Sequence, residues 1–357
     1  MRNSQLRRGR TVGALLLVLV GAAAGCRHRM PESIAAEVRP DRFDDRGIVP
    51  LPSGQWSGYT DQRQHTFWRN GEDNDPCLSR DGTLLLFSST AHSPVSSIYL
   101  RPLDGRATRQ LTTGIHNDMY PELDPTGKRV AFASQRTGTW DIFVIEIDNP
   151  NTAWQVTQSP GDDIHPTWSP DGRRIAYCSR ARDEDWQIWV VDLKTHGFTN
   201  LGPGMYPEWS PNGEWIAFQK PRFRGGGWFG VWVLKPDGSA VTEIVSSDKW
   251  AAINPSWSPD GKHITFATVH KSPESQAEQR AWAGDDVWIV NADGTGLYQL
   301  TTDAGPEWNP RWSSDGRIYF VARRDGVQNI HSVRPTLSEL ALEPAPQPAP
   351  AAAEPAK

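Results

Sequence analysis

The chain of 357 residues has three cysteines, four methionines, a net charge of only −5 and a single long apolar run. The weakly acidic balance supplies no basic footprint for nucleic acid. One apolar run excludes a multi-span membrane protein. Signatures of catalysis are also missing. No Gly-x-Ser-x-Gly elbow or His-Glu-x-x-His helix occurs, and the nine histidines are scattered, with no metal-ligand partner at short helical spacing. A non-enzymatic protein without a cofactor is therefore expected. What is abundant is 31 glycines, 29 prolines and 17 tryptophans. That composition predicts many short strands joined by tight turns.

The apolar run belongs to an address. Residues 1–10 carry Arg2, Arg7, Arg8 and Arg10 without an acid, and Val12–Val20 is apolar but too short to span a bilayer. Small residues then lead to Ala23-Ala24-Gly25-Cys26, the order of a secretory signal. The same four residues resemble a bacterial lipobox, which implies cleavage after Gly25 and acylation of Cys26. Removing residues 1–25 deletes four arginines and no acid, which moves the net charge from −5 to −9. Arg27, rather than an aspartate, follows the cysteine and favours the periplasmic face of an outer membrane. Cys77 and Cys178 fall at or beside strand positions of non-adjacent repeats. Export would permit a disulfide, but two buried thiols are expected.

One unit recurs six times. His165-Pro-Thr-Trp-Ser-Pro-Asp-Gly-Arg-Arg-Ile-Ala-Tyr177 returns at Tyr206–Phe218, Asn254–Phe266 and Asn309–Phe320, with weaker copies from Asp75 and Tyr120. The turn glycines are 82, 127, 172, 213, 261 and 316, a spacing of 41 to 55 residues. Each unit reads as four strands: a Pro-x-Trp-Ser strand, an Asp-Gly hairpin with positive-φ residues, an apolar strand, an apolar-aromatic strand such as Gln187–Val190, and a short Gln-x-Thr strand. Such units at this period predict an all-β, six-bladed β-propeller of four-stranded blades. The sixth unit lacks its own Gln-x-Thr strand, whereas Gln64-His-Thr-Phe-Trp68 precedes the first. This N-terminal segment is expected to close the last blade. Four segments follow: a signal at 1–25, a lipid-anchored tether at 26–60, the propeller at 61–334, and a Pro/Ala-rich disordered tail at 335–357.

The Pro-x-Trp-Ser-Pro-Asp-Gly-x-x-Ile-Ala-Phe repeat resembles that of the TolB propeller family over roughly 62–334. The resemblance implies an envelope protein with a small α/β domain ahead of its propeller, and here only a short segment stands in that place. It places a TolA-type contact on that domain and a Pal-like lipoprotein on the propeller face, so the second contact is the one carried over. It also implies that acids ahead of strand a bond backbone amides of the neighbouring blade.

Antiparallel strands a to d put the b–c loops and the d–a crossovers on one face, opposite the Asp-Gly turns. Variable loops on a rigid scaffold carry binding. Two b–c loops stand out: Lys220–Gly230, with Arg222, Arg224 and Trp228, and His270–Asp285, around Trp282. Arginine beside exposed aromatics makes an interface anchor, although the tryptophans could equally cover blade edges. Gly225-x-Gly227-x-x-Gly230 is not a dinucleotide fingerprint, because a strand rather than a helix follows it. The residues before each repeat proline, Asp75, Tyr120, His165, Tyr206, Asn254 and Asn309, should surround the mouth of a central channel. Asp118 and Asp163 lie just upstream, as do Asp73 and Glu307. The expected function is binding of an envelope protein or peptide on this face by a monomer anchored to the membrane through lipid. The alternatives are a lyase- or cyclase-like enzyme, in which Asp118, Asp163 and His165 converge on a metal or sugar at the mouth, and a propeller that gates a separate peptidase chain.

Overall fold

The computed structural model describes residues 58–336, except 106, 182–183, 222–227, 271–285 and 303–304. The signal, Cys26, most of the tether and the tail lie outside the described residues. The chain forms six sheets of four antiparallel strands. The strand a segments are Asp73–Leu78, Asp118–Leu123, Asp162–Trp168, Met205–Trp209, Trp250–Trp257 and Glu307–Trp312. Each touches the next, and the sixth touches the first, so the ring is closed around an axis lined by strand a.

The hydrophobic core lies between blades. The repeat tryptophans Trp168, Trp209 and Trp257 are buried in three separate inter-blade clusters. Trp168 and Trp257 also donate from the indole nitrogen to the backbone oxygens of Glu122 and Glu208 in the preceding blade. Cys77 and Cys178 are buried free thiols.

The a–b turns differ from the expected geometry in one respect. Only the glycine has a positive φ, 66° to 78° at the six positions; the preceding Asp, Asn or, at Gly127, Thr126 does not. The strand pair closes five residues apart, as in Ser169 N–H to Arg174 O at 2.9 Å, and Gly172 N–H bonds back to Ser169 O. A longer loop of this kind needs one left-handed residue rather than two. The aspartate works through its side chain instead: Ser169 donates its hydroxyl to Asp171, and Asp171 accepts the Arg173 N–H.

Blade six is closed by the N-terminus, as expected, but by a strand that starts five residues and ends four residues before the expected Gln64–Trp68 segment. Strand Tyr59–Gln64 pairs with Val327–Pro335, and His65 N–H continues the pairing to Ile330 O. Phe67 and Trp68 lie beyond the strand. The Gln-x-Thr motif explains the fit. Thr112, Thr157 and Thr301 each accept, through Oγ1, the N–H of a residue early in their own strand c, namely Ile98, Ile142 and Val287. Thr66 accepts that of Ile330 at 2.9 Å, so the first strand of the chain performs in blade six what strand d does elsewhere. Buried Arg317 adds a clamp, donating to Asp61 and to Ser332 on either side of the seam.

Replacing Thr66 or Thr112 by Val removes one acceptor and leaves a buried N–H unpaired, at a cost of about 1–3 kcal/mol each. Urea unfolding should show comparable losses for the two variants. A loss at Thr112 alone would show that the closing strand frays before the ring opens.

Candidate functional site

Every strand a breaks its pairing register at the same place. The breaks lie at 74/77, 119/122, 164/167, 205/208, 253/256 and 308/311, and each contains the x-Pro pair. The residue before each proline is left-handed, with φ of 54° at Asp75, 56° at Tyr120, 53° at His165, Tyr206 and Asn254, and 50° at Asn309. Non-glycine residues seldom adopt this region, and a following proline favours extended backbone instead. Six such bulges at equivalent positions are strain imposed by the ring, and they re-aim the side chain. All six residues line one cavity on the axis, with Arg311 beside them. The six mouth residues named from the sequence therefore do come together.

The collar has two halves. His165 stacks between Tyr120 and Tyr206, with ring centroids 3.7 Å apart on either side. Opposite are Asp75, Asn254 and Asn309, with Asn309 donating its amide to Asp75 at 3.0 Å. The free space they enclose is about 20 Å³, room for one water. Burial, with a smaller push from Arg311, holds His165 well below the usual imidazole range, so it is neutral. Burial also raises Asp75 to about 6.

Two residues further along is a second tier. The side chain after the proline staples the next blade by accepting a backbone N–H: Cys77 from Leu123, Thr167 from Trp209, Glu208 from Trp257 and Ser256 from Trp312. Arg311 occupies this position in blade six and can only donate. It pairs instead with the carboxylate of Glu208. Glu122 remains as a carboxyl in the field of Arg311 and Glu208, and burial lifts it to about 7. The sequence reading passed over this tier, although the residue after each repeat proline was visible in the same alignment.

The upstream acids are placed differently from expectation. Asp118 and Asp163 do not share the cavity with His165. Asp118 is buried and ion-paired with Arg136 at 3.2 Å, and Glu307 is paired with Arg324. Asp163 is buried near the hydroxyls of Ser179, Thr157 and Ser159 without closing to hydrogen-bond geometry. Residues two apart on a regular strand share a face, but the intervening bulge breaks that alternation and turns these acids into the blade. The convergence of Asp118, Asp163 and His165 required by an enzymatic mouth is absent. No group of three metal-ligating side chains occurs among the described residues. Of the loop anchors, Trp228 is half-buried, and Arg222, Arg224 and Trp282 lie outside the described residues. Phe67 and Ile115, in the d–a crossovers flanking blade one, are 63 % and 83 % exposed on the mouth face. Nothing in the repeat singled them out, because crossovers do not align.

The family model of the TolB beta propeller domain matches residues 59–221 and 96–280. An uncharacterized protein, Atu1656 of Agrobacterium fabrum, is 27 % identical over 259 residues, 70 % of either chain. The solved structure described as a TolB from Agrobacterium tumefaciens has a TM-score of 0.59 at 24 % identity, covering 74 % of this chain and 90 % of that one. Propeller enzymes also share the fold. An oligogalacturonate lyase from Vibrio parahaemolyticus superposes with a TM-score of 0.51 at 12 % identity, over 77 % of this chain and 96 % of that one.

Because Glu122 takes up its proton more readily in the folded state, with a value of about 7 against about 4.3 for a free glutamate, its contribution to stability is greatest at low pH and declines as pH rises between those values. Glu122→Gln should therefore be more stable than the parent at pH 8, by about 3 kcal/mol, with the advantage reduced to about 1 kcal/mol near pH 5. Denaturant melts at the two pH values read it directly, and an advantage independent of pH would contradict the assignment.

Proposed function

The chain belongs to the TolB β-propeller domain family, and from that premise we propose that it is a non-enzymatic cell-envelope protein. It docks a protein or peptide partner on the face carrying its channel mouth and b–c loops. The observation that carries this reading is the mouth itself, a strained collar of six side chains supplied by all six blades. Such a collar cannot move without the ring moving, which pre-organises it for docking. Phe67 and Ile115 add exposed apolar surface on the same face. A Pal-like lipoprotein is the partner class that the family suggests. The signal-and-cysteine sequence around Cys26 supports a lipid anchor on the periplasmic side of the outer membrane, with the propeller held as a monomer.

An enzymatic reading draws on the fold shared with the lyase. At 12 % identity that likeness extends to architecture alone, and the separation of Asp118 and Asp163 from His165 argues against it.

Cross-linking and co-purification from native membranes test the docking reading. Replacing Lys220–Gly230 and His270–Asp285 with short Gly-Ser turns, or combining Phe67→Ser with Ile115→Ser, should reduce capture of the partner at least tenfold, the size of loss expected for interface anchors. Capture unchanged in both variants would move the interface to another face. Cys26→Ser should shift the protein from the membrane to the soluble fraction; continued sedimentation with membranes would refute the anchor.

A further inference from the structure

Both ends of the described chain leave the ring at one place. Strand Val327–Pro335 starts at the b–c turn of blade six, on the mouth face, and runs to the opposite face. There Arg334 donates to the backbone oxygen of Asp315 in the a–b turn at 3.0 Å, and Pro335 pairs with Tyr59 at the start of the closing strand. Thr336 N–H bonds to Gly58 O at 3.2 Å, so the last described residue lies beside the first. The closing strand then runs back to the mouth, where Thr66 caps Ile330 and the crossover bearing Phe67 begins.

This placement gives the two faces different surroundings. The chain that leads back to Cys26 departs from the a–b face, whose turns are short in every blade. The mouth face carries neither end of the described chain; it carries the collar and the exposed Phe67 and Ile115. A six-residue strand such as Asp118–Leu123 holds the two faces about 20 Å apart. The 31 residues from 27 to 57 reach at most ~110 Å. A mouth turned toward the bilayer would oblige those residues to pass round the rim and along the height of a blade. It would also confine the docked partner to the gap between ring and lipid. A mouth turned outward imposes neither constraint.

We infer that the anchored propeller presents its mouth away from the membrane that holds Cys26, with the a–b face toward the lipid, so that the docked partner approaches from the aqueous side. The inference rests on the lipid anchor and the docking face proposed above.

Energy transfer from a single fluorophore to acceptor-labelled lipid headgroups tests it, with the full acylated chain in phosphatidylethanolamine–phosphatidylglycerol vesicles. Lys128→Cys puts the label on the a–b turn of blade two, and His116→Cys puts it on the crossover entering the same blade at the mouth; both residues are exposed. Cys77 and Cys178 are buried and acylation blocks Cys26, so the parent should take up no label. Transfer from residue 128 should exceed that from residue 116 at least twofold, and a bulky polymer maleimide should modify residue 116 several-fold faster. Equal transfer from the two sites would overturn the orientation. Greater transfer from residue 116 would overturn it too, and would put Phe67 and Ile115 against lipid. Label on the parent at residue 26, with no protein on the vesicles, would sink the anchor itself. The inferred ratio without any partner captured from native membranes would sink the docking reading and leave the orientation standing. Should either variant fail to fold, Lys262→Cys and Lys249→Cys make the equivalent pair on blade five, read by the same ratio.

Discussion

Six x-Pro bulges facing one axis are the constraint from which the rest of this structure follows. A propeller's innermost strands converge, and a regular strand there would alternate side chains toward the axis and into the blade. The bulge suspends that alternation for one step at the same height in all six blades. The cost is a left-handed residue before each proline, even where that residue is tyrosine or histidine. The surroundings hold it in place. The strained residue's own N–H is taken up by the preceding blade at three positions: by Asp75 for Tyr120, by Cys178 for Tyr206 and by Gln219 for Asn254.

Those partners also explain two cysteines that make no bridge. Cys178 accepts the Tyr206 N–H and Cys77 accepts that of Leu123, each across a gap between blades. Burial pushes both thiols well above the usual range, so neither is a ready nucleophile. Sulfur here serves as a small acceptor: Cys77 stands where threonine, glutamate or serine accepts in other blades, and Cys178 where Gln219 accepts in the next. The pairing in sequence space that might suggest a disulfide is answered by two separate structural roles.

Much of the architecture was legible because repetition is a strong signal. Six turn glycines fixed the blade count, and the missing Gln-x-Thr of the last repeat pointed to the copy at Gln64–Thr66, where Thr66 caps Ile330. The collar was legible for the same reason, one residue per repeat. The inward side chain after each proline was equally periodic, but its identity varies from Cys77 to Arg311, so no chemistry advertised it. Asp118 and Asp163 misled for a physical reason: strand alternation places residues two apart on one face, and only the bulge, which no residue type announces, separates them. The a–b turn erred in the same direction, since Asp-Gly is compatible with one left-handed residue as well as two.

The two tiers divide the labour of the channel. In four blades the residue after the proline ties its neighbour's backbone. Blade six cannot follow, because arginine has no acceptor, and its guanidinium reaches Glu208 instead. Glu208 thus serves two masters, Trp257 N–H through one oxygen and Arg311 through the other. Glu122 is left with a field but no staple, and it is there that ionisation near neutral pH becomes possible. The departure from six-fold regularity at Arg311 and Glu122 therefore sets the electrostatic character of the axis, while the four stapled positions keep the ring rigid enough for that character to be presented at a fixed place.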